Sequence, residues 1–221
     1  MNATAGHDDG TADLVWRSPT VEVRTCSVSS MDNNVYLVTC TSTGAQALID
    51  AADDATRIEA LVPGGLEALD TIITTHRHWD HHRALSEVVA TSGATTYAGS
   101  ADADHLPVPT AVGLYHGDTV QVGRLELDVV GLRGHTPGSI AIALPGGDDA
   151  GTTLLFTGDS LFPGGPGRTE SEPDFTSLMN DLEQRVFAAL EDDTRVLPGH
   201  GAGTTIGEER PDLGHWRQRG W

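Results

Sequence analysis

"THRHWDHH", residues 75–82, carries four of the chain's ten histidines and one aspartate within eight positions. Imidazole is the commonest transition-metal ligand among side chains and titrates near neutral pH. His76 and His78 are two apart, which in an extended or loop segment turns both rings to one side, able to close on one ion. Asp80 and His81 follow on the turn into a helix and can face a second ion. The flanks fix where this happens. "TIITTH" (71–76) has the β-branched residues of a strand. "HRALSEVVATSG" (82–93) has the spacing of an amphipathic helix closed by Gly93. The cluster therefore sits between the C-terminal end of a strand and the start of a helix, where α/β proteins commonly place ligand chemistry.

A His-x-His pair alone is frequent by chance, and the weight comes from three placements further along. His135 lies in "GHTPGS", Asp159 in "FTGDS" and His200 in "PGHG". Each follows a strand-like run, and each is flanked by glycine, which lets backbone approach a tightly packed centre. Buried histidines and a buried acid are costly unless paired or metal-bound.

Outside these turns, strands are predicted over 14–26, 34–40, 119–123, 125–132, 139–144 and 152–162, with a strand then a turn over 194–201 and a short apolar run ending in an acid at 45–50. Helices are predicted over 53–62 and 174–190, the latter capped by Asp174. Strands and helices interleave without a linker or repeat, so one domain of α/β or α+β class, residues 14–221, is expected.

Composition narrows the partners. The net charge is −19, from 32 acidic against 13 basic residues, and every basic residue is arginine. Phosphate-backbone binding needs clustered basic residues, so nucleic acid is not an expected partner. Residues 1–13, "MNATAGHDDGTAD", lack the basic and apolar regions of a signal peptide and read as a disordered polar tail. No apolar run approaches the length of a membrane span. Cys26 and Cys40 are too few for a disulfide scaffold and read as buried free thiols. A cytoplasmic protein, monomeric or a small homo-oligomer, is expected.

With H-x-H-x-D-H at 76–81 followed in order by His135, Asp159 and His200, the chain resembles the metallo-β-lactamase superfamily over roughly residues 15 to 205. The resemblance implies an α+β fold, an αββα sandwich with metals at one edge between two β-sheets. It implies that His76, His78 and His135 hold one ion, that Asp80, His81 and His200 hold a second, and that Asp159 bridges them. Asp80 and Asp159 are thereby the catalytic carboxylates. Two divalent ions are implied, zinc first, with iron or manganese compatible with the same ligands. Asp50, ending "LID", matches a position that supports a ligand histidine, and otherwise reads as a turn aspartate. Arg168 matches an arginine near the active site, and otherwise reads as a structural ion pair. Asn33 and Asn34 resemble a loop near the pocket. Trp79 reads as a pocket-mouth or a packing residue, and His82 as an exposed helix-start residue. His105, His116 and His215 read as solvated.

The closest branch resemblance is to the glyoxalase II-like hydrolases, in "GHTPGS", "FTGDSLFPGGPGR" and "PGHGAGTTIGEER". Two divalent ions against two carboxylates and a hydroxide leave a net positive centre, suited to an anionic or polarised carbonyl substrate. No residue stands out as an acid for a poor leaving group, and a thiol of pKa about 8.5 needs little help in leaving. A small anionic thioester is thus the expected substrate. Only 21 residues follow His200, so the helical domain with which glyoxalase II anchors glutathione is not expected. A persulfide dioxygenase with one iron is the alternative, and a lactonase a third. A non-catalytic metal-binding protein is least supported, because nothing in the ligand set is missing.

Overall fold

The computed structural model describes residues 13–146 and 151–220. The tail expectation for residues 1–12 lies outside the described residues, while Asp13 already pairs with Thr25 at the start of the first strand.

The first sheet follows chain order. β1 (Asp13–Arg17), β2 (Val21–Val28), β3 (Asn33–Cys40) and β4 (Gln46–Ile49) form an antiparallel meander. β5 (Thr71–Thr74), β6 (Thr95–Gly99) and β7 (Val112–Leu114) then continue it in parallel. Helices α1 (Ala55–Leu61) and α2 (Leu85–Ser92) lie in the β4–β5 and β5–β6 connections, as parallel pairing requires. Asp54 caps α1 by accepting from Arg57 N, and Gly93 closes α2 in the left-handed conformation. β6 and β7 escape the sequence reading, being short and set among alanine, serine and glycine.

The second sheet has the order β15-β14-β11-β10-β9-β8. Its strands are β8 (Thr119–Val122), β9 (Leu125–Gly131), β10 (Ile140–Leu144), β11 (Leu154–Gly158), β14 (Arg195–Pro198) and β15 (Thr204–Thr205). The run predicted as one strand over 152–162 breaks at Gly158, whose φ of 48° turns the chain. A separate hairpin follows, β12 (Leu161–Phe162) with β13 (Gly165–Pro166). The helix expected over 174–190 starts earlier, as α3 (Glu172–Leu182), and its cap is Ser171, whose hydroxyl accepts from Asp174 N. The Ser171 hydroxyl also donates to Asp174 Oδ2, and a π-helical turn, Glu183–Phe187, ends the element. The short α4 (Ile206–Glu209) and α5 (Leu213–Arg219) complete the chain.

The period of two along each strand explains the layering. In β3, Tyr36, Val38 and Cys40 meet Leu127, Ile142 and Phe156 of the other sheet, while Val35 and Leu37 meet Ile58 and Leu61 of α1. The outer face of the second sheet packs Leu155 and Val196 on Leu178 and Leu182 of α3 and on Trp216 of α5. β4, β5, β10 and β11 are buried at every position, as strands covered on both faces must be. Helix, sheet, sheet, helix is the resulting order, the expected αββα sandwich. Both cysteines are buried and unpaired.

Candidate metal centre

β10 runs antiparallel to both β9 and β11, and β11 runs parallel to β14. β9, β11 and β14 therefore point the same way, and the turns after their C-terminal ends carry His135, Asp159 and His200. The turn after β5 carries His76, His78, Asp80 and His81. The sheets are tied together at this point: Ile140 N donates to Thr75 O at 3.0 Å and Asn34 N to Gly199 O at 2.8 Å. A Cβ on Gly158 would stand 2.6 Å from Thr75 Oγ1, so glycine is what lets the two sheets' turns touch.

All seven side chains converge. The groups close enough to share an ion are His76, His78 and His135; His76, His81 and Asp159; and Asp80, His81 and His200. His76 Nε2 is 3.2 Å from His135 Nε2, and His81 Nε2 is 3.1 Å from His200 Nε2. Asp80 Oδ2 is 3.2 Å from His200 Nε2 and 3.5 Å from His81 Nε2. Asp159 lies between the groups, with Oδ1 3.4 Å from His81 Nε2 and Oδ2 3.7 Å from His135 Nε2 and 3.4 Å from His200 Nε2. Two ligand atoms bound at 2.0–2.1 Å to a tetrahedral ion stand about 3.3 Å apart, which is the spacing found.

The hydrogen bonds behind these rings decide whether a metal fits. His135 Nδ1 faces Arg168 O at 2.6 Å and His200 Nδ1 faces Met31 O at 2.8 Å. A carbonyl only accepts, so both Nδ1 atoms carry protons. The Thr75 hydroxyl donates to Asp50 Oδ2 at 2.8 Å and so accepts from His76 Nδ1 at 3.0 Å. His81 Nδ1 meets Asp50 Oδ2 at 2.9 Å. Every one of these histidines is thereby fixed with Nε2 turned inward. Burial above all depresses His76, His78 and His135 below the usual imidazole range. The neutral rings of His76 and His135 then point lone pairs at each other, an arrangement that a cation between them reconciles. Asp159 Oδ1 is buried without a hydrogen-bond partner. The donor set fits divalent metal ions.

Charge on the second group follows the same logic. Burial disfavours the His81 imidazolium, but contacts with Asp159 and Asp50 outweigh it and lift the ring to about 10. His200 is likewise raised against its burial, by Asp159. Burial works against ionising Asp159, yet His200 and His81 hold it well below the carboxylate range. Asp80 is held low against its burial by the amide of Asn33 and by His81.

The supporting residues are placed as follows. Asp50, in the left-handed region at φ 60°, takes Thr75 N on Oδ1 at 2.7 Å, so one carboxylate orients His81 directly and His76 through Thr75. Asn33 Nδ2 reaches Asp80 Oδ2 at 3.0 Å. Asn34 instead clamps the His200 turn, donating to Pro198 O at 3.0 Å and Gly201 O at 2.8 Å. Trp79 is 59% exposed, with the Arg83 guanidinium 3.6 Å over its ring. His82 Nε2 meets Arg77 O. Arg168, which makes no ion pair among the described residues, lines a 220 Å3 groove with His78, His135, Thr169 and Glu170. Sequence reasoning missed Thr75, Glu170 and, above all, Asp102. The fully buried Asp102 accepts from Arg77 N at 3.0 Å, Gly138 N at 2.9 Å and the Thr136 hydroxyl. It thus joins the backbone between His76 and His78 to the turn carrying His135. Its segment, "GSADADHL", offers no local signal for this.

Residues 31–200 match the family model of the metallo-beta-lactamase superfamily. The chain belongs to this superfamily. Within it, the chain is 37% identical over 190 residues to the hydroxyacylglutathione hydrolase of Jannaschia sp. (strain CCS1), covering 82% of this chain and 70% of that protein. It is 37% identical over 170 residues to the enzyme of the same name from Fuscovulum blasticum, covering 76% and 62%. The chain thus spans about two thirds of these relatives' length. Among solved superfamily structures, ETHE1 from Myxococcus xanthus aligns with a TM-score of 0.73 at 31% identity, over 85% of this chain and 81% of that one. TTHA1623 in a di-iron-bound form gives 0.70 at 30%, over 84% and 96%. Divalent metal ions are the cofactor type that the family and the donor set share.

Proposed function

We propose that this chain is a metal-dependent thioester hydrolase with a two-ion centre, in which His76, His78 and His135 hold one ion, Asp80, His81 and His200 the other, and Asp159 both. The observation that carries the reading is Asp159 standing within 3.4–3.7 Å of histidines of both groups. The similarity to hydroxyacylglutathione hydrolases supports the thioester, and the di-iron form of a 30% identical relative supports the count of two. When bound, such ions supply Lewis-acid polarisation of a carbonyl and bring the pKa of a water down to about 7.

The chain's own residues do the rest. Asp50 and Thr75 fix His81 and His76 in the tautomer that turns Nε2 inward. Asp102 holds the two ligand turns at one spacing. The groove beside His78 and His135 is where an acyl group reaches the centre, with Arg168 placed to meet a substrate carboxylate and Glu170 on the same wall. A thiolate departs with little protonation, so no buried acid is required. Zinc is the proposed metal, with iron or manganese compatible.

The test is a panel of thioesters, lactones and persulfides on one preparation of known metal content. Thioester turnover with two ions per chain is expected. A single iron at saturation, with oxygen uptake on a persulfide, assigns the chain to dioxygenase chemistry, and lactone turnover without thioester turnover assigns it to lactonases.

A further inference from the structure

A cavity of about 360 Å3, lined by none of the seven residues of the ligand groups, opens between the end of β7, the end of β9 and the Pro137–Ser139 turn. Leu114, Pro137 and Ile140 give it apolar walls, and Arg133, Arg185 and His116 stand around it. None of its thirteen lining residues is acidic, in a chain where acids outnumber bases 32 to 13.

A purely structural account would have the arginines neutralise Asp181, which is 2% exposed. Arg133 already does so with two contacts, Nε to Oδ2 at 2.9 Å and Nη2 to Oδ1 at 2.8 Å. Arg185 adds a second guanidinium, 3.3 Å from the same carboxylate, with Nη1 donating to Gly131 O at 2.7 Å. One carboxylate against two guanidiniums leaves a positive charge over, and the Arg185 side chain is only 22% exposed. A methyl on Gly131 would touch both Arg185 Nη1 and His116 Cβ at 3.1 Å, so the bare strand is what lets the two lie side by side. Tyr115 takes a hydrogen bond from the Ser100 hydroxyl at 2.8 Å, which leaves its own phenol proton to donate.

We propose that this cavity binds a small organic anion, a phosphate monoester or a carboxylate on an apolar or aromatic body, at a site separate from the metal centre. The excess guanidinium and His116 meet the anion, since guanidinium forks suit planar and tetrahedral oxyanions. The Tyr115 hydroxyl adds a donor, and Leu114, Pro137 and Ile140 cover the apolar part. The occupant rests on the turn whose Thr136 and Gly138 are held by Asp102, directly behind His135.

The site is tested by calorimetric titration of the metal-loaded protein with phenyl phosphate, benzoate and, as the neutral control, phenol, at constant ionic strength. Phenyl phosphate, benzoate or both should bind one per chain and phenol should not; which anion binds tells the phosphate from the carboxylate. Arg133 is 57% exposed and Arg185 remains to pair Asp181, so Arg133→Gln is expected to fold. It should weaken binding about tenfold or more, the worth of one charge-assisted hydrogen bond. Tyr115→Phe should weaken it several-fold, and Arg168→Gln, at the metal-side groove, should leave it unchanged. In the same titration the His116 ring protons should shift by NMR. Absence of saturable anion binding, equal binding of phenol, or binding that survives both Arg133→Gln and Tyr115→Phe would overturn the assignment.

Discussion

Gly199→Ala tests the geometry of the centre without removing any ligand. A Cβ at this position would stand 2.4 Å from Asp159 Oδ1, 2.6 Å from His81 Cε1 and 3.2 Å from Gly158 C. Ordinary contact begins near 3.4 Å, so something must move by roughly 1 Å. His81 has nowhere to go, being fully buried and tied to Asp50. The backbone of residue 199 is held on both sides, its N–H on Gly158 O and its carbonyl taking Asn34 N, each at 2.8 Å. A displacement of that size at a reacting centre costs about 10²-fold in rate. Overpacking of this kind destabilises by about 1–3 kcal/mol, or about 2–4 °C in Tm for each kcal/mol in a chain of this size. Elemental analysis, calorimetric melting and thioester kinetics on the variant should show lost metal at the His81 group, a lowered Tm and a collapse of kcat/KM. Gly201→Ala is the control on the other side of His200. It meets a strained φ of 63° but only Asp32 Oδ2 at 3.9 Å, so it should lower Tm with metal content unchanged. Two ions and wild-type turnover in Gly199→Ala would refute the described packing.

Further perturbations separate the two metal groups. Asp159→Ala removes the carboxylate proposed to serve both, so metal analysis should find both sites depleted and activity abolished. Asp80→Ala should chiefly empty the group with His81 and His200; full metal content with wild-type turnover would show the two-ion assignment to be wrong. Asp102→Asn keeps the shape but spoils one acceptor, and should weaken metal at the His76, His78 and His135 group by about 10–100-fold, while cobalt titration still fills the other group normally. Metal uptake should also release protons. His81 is raised to about 10 by Asp159 and Asp50, so it holds a proton at pH 7 that an ion on Nε2 must displace. The release should persist below pH 10 and fade above it. Titration calorimetry in two buffers of different ionisation enthalpy reads it, and heats independent of buffer at pH 7 would contradict the pairing of His81 with Asp50 and Asp159.

The convergence of the seven side chains was legible because metal chemistry restricts residue type: a dense His/Asp cluster at 76–81 followed by His135, Asp159 and His200 in glycine-flanked turns has few other uses. The layered fold was legible from strand and helix periods together with the family resemblance. Support from a distance was not. Asp102 works through the backbone donors Arg77 N and Gly138 N, and the glycine that leaves it room, where a Cβ would stand 2.4 Å from Asp102 N, looks like any turn glycine after a proline. Asp50 was readable both as a turn residue and as a support, and the structure makes it both, at φ 60° with three groups drawn to its carboxylate. The Ser171 cap was missed in favour of Asp174 because both residue types cap helices, and the Pro173 between them fits only the first turn.

Each ligand group draws on both sheets, with His76, His78, Asp80 and His81 from one and His135, Asp159 and His200 from the other. An ion held by either group would bridge the two halves of the sandwich. Metal loading would therefore oppose any motion that parts them, a motion that amide hydrogen exchange can follow. Amides that join the halves, at Ile140 and Asn34, should exchange more slowly once ions are bound, because binding to the closed form alone deepens its well. A chelator that acts no faster than those amides open would be waiting on the sandwich itself.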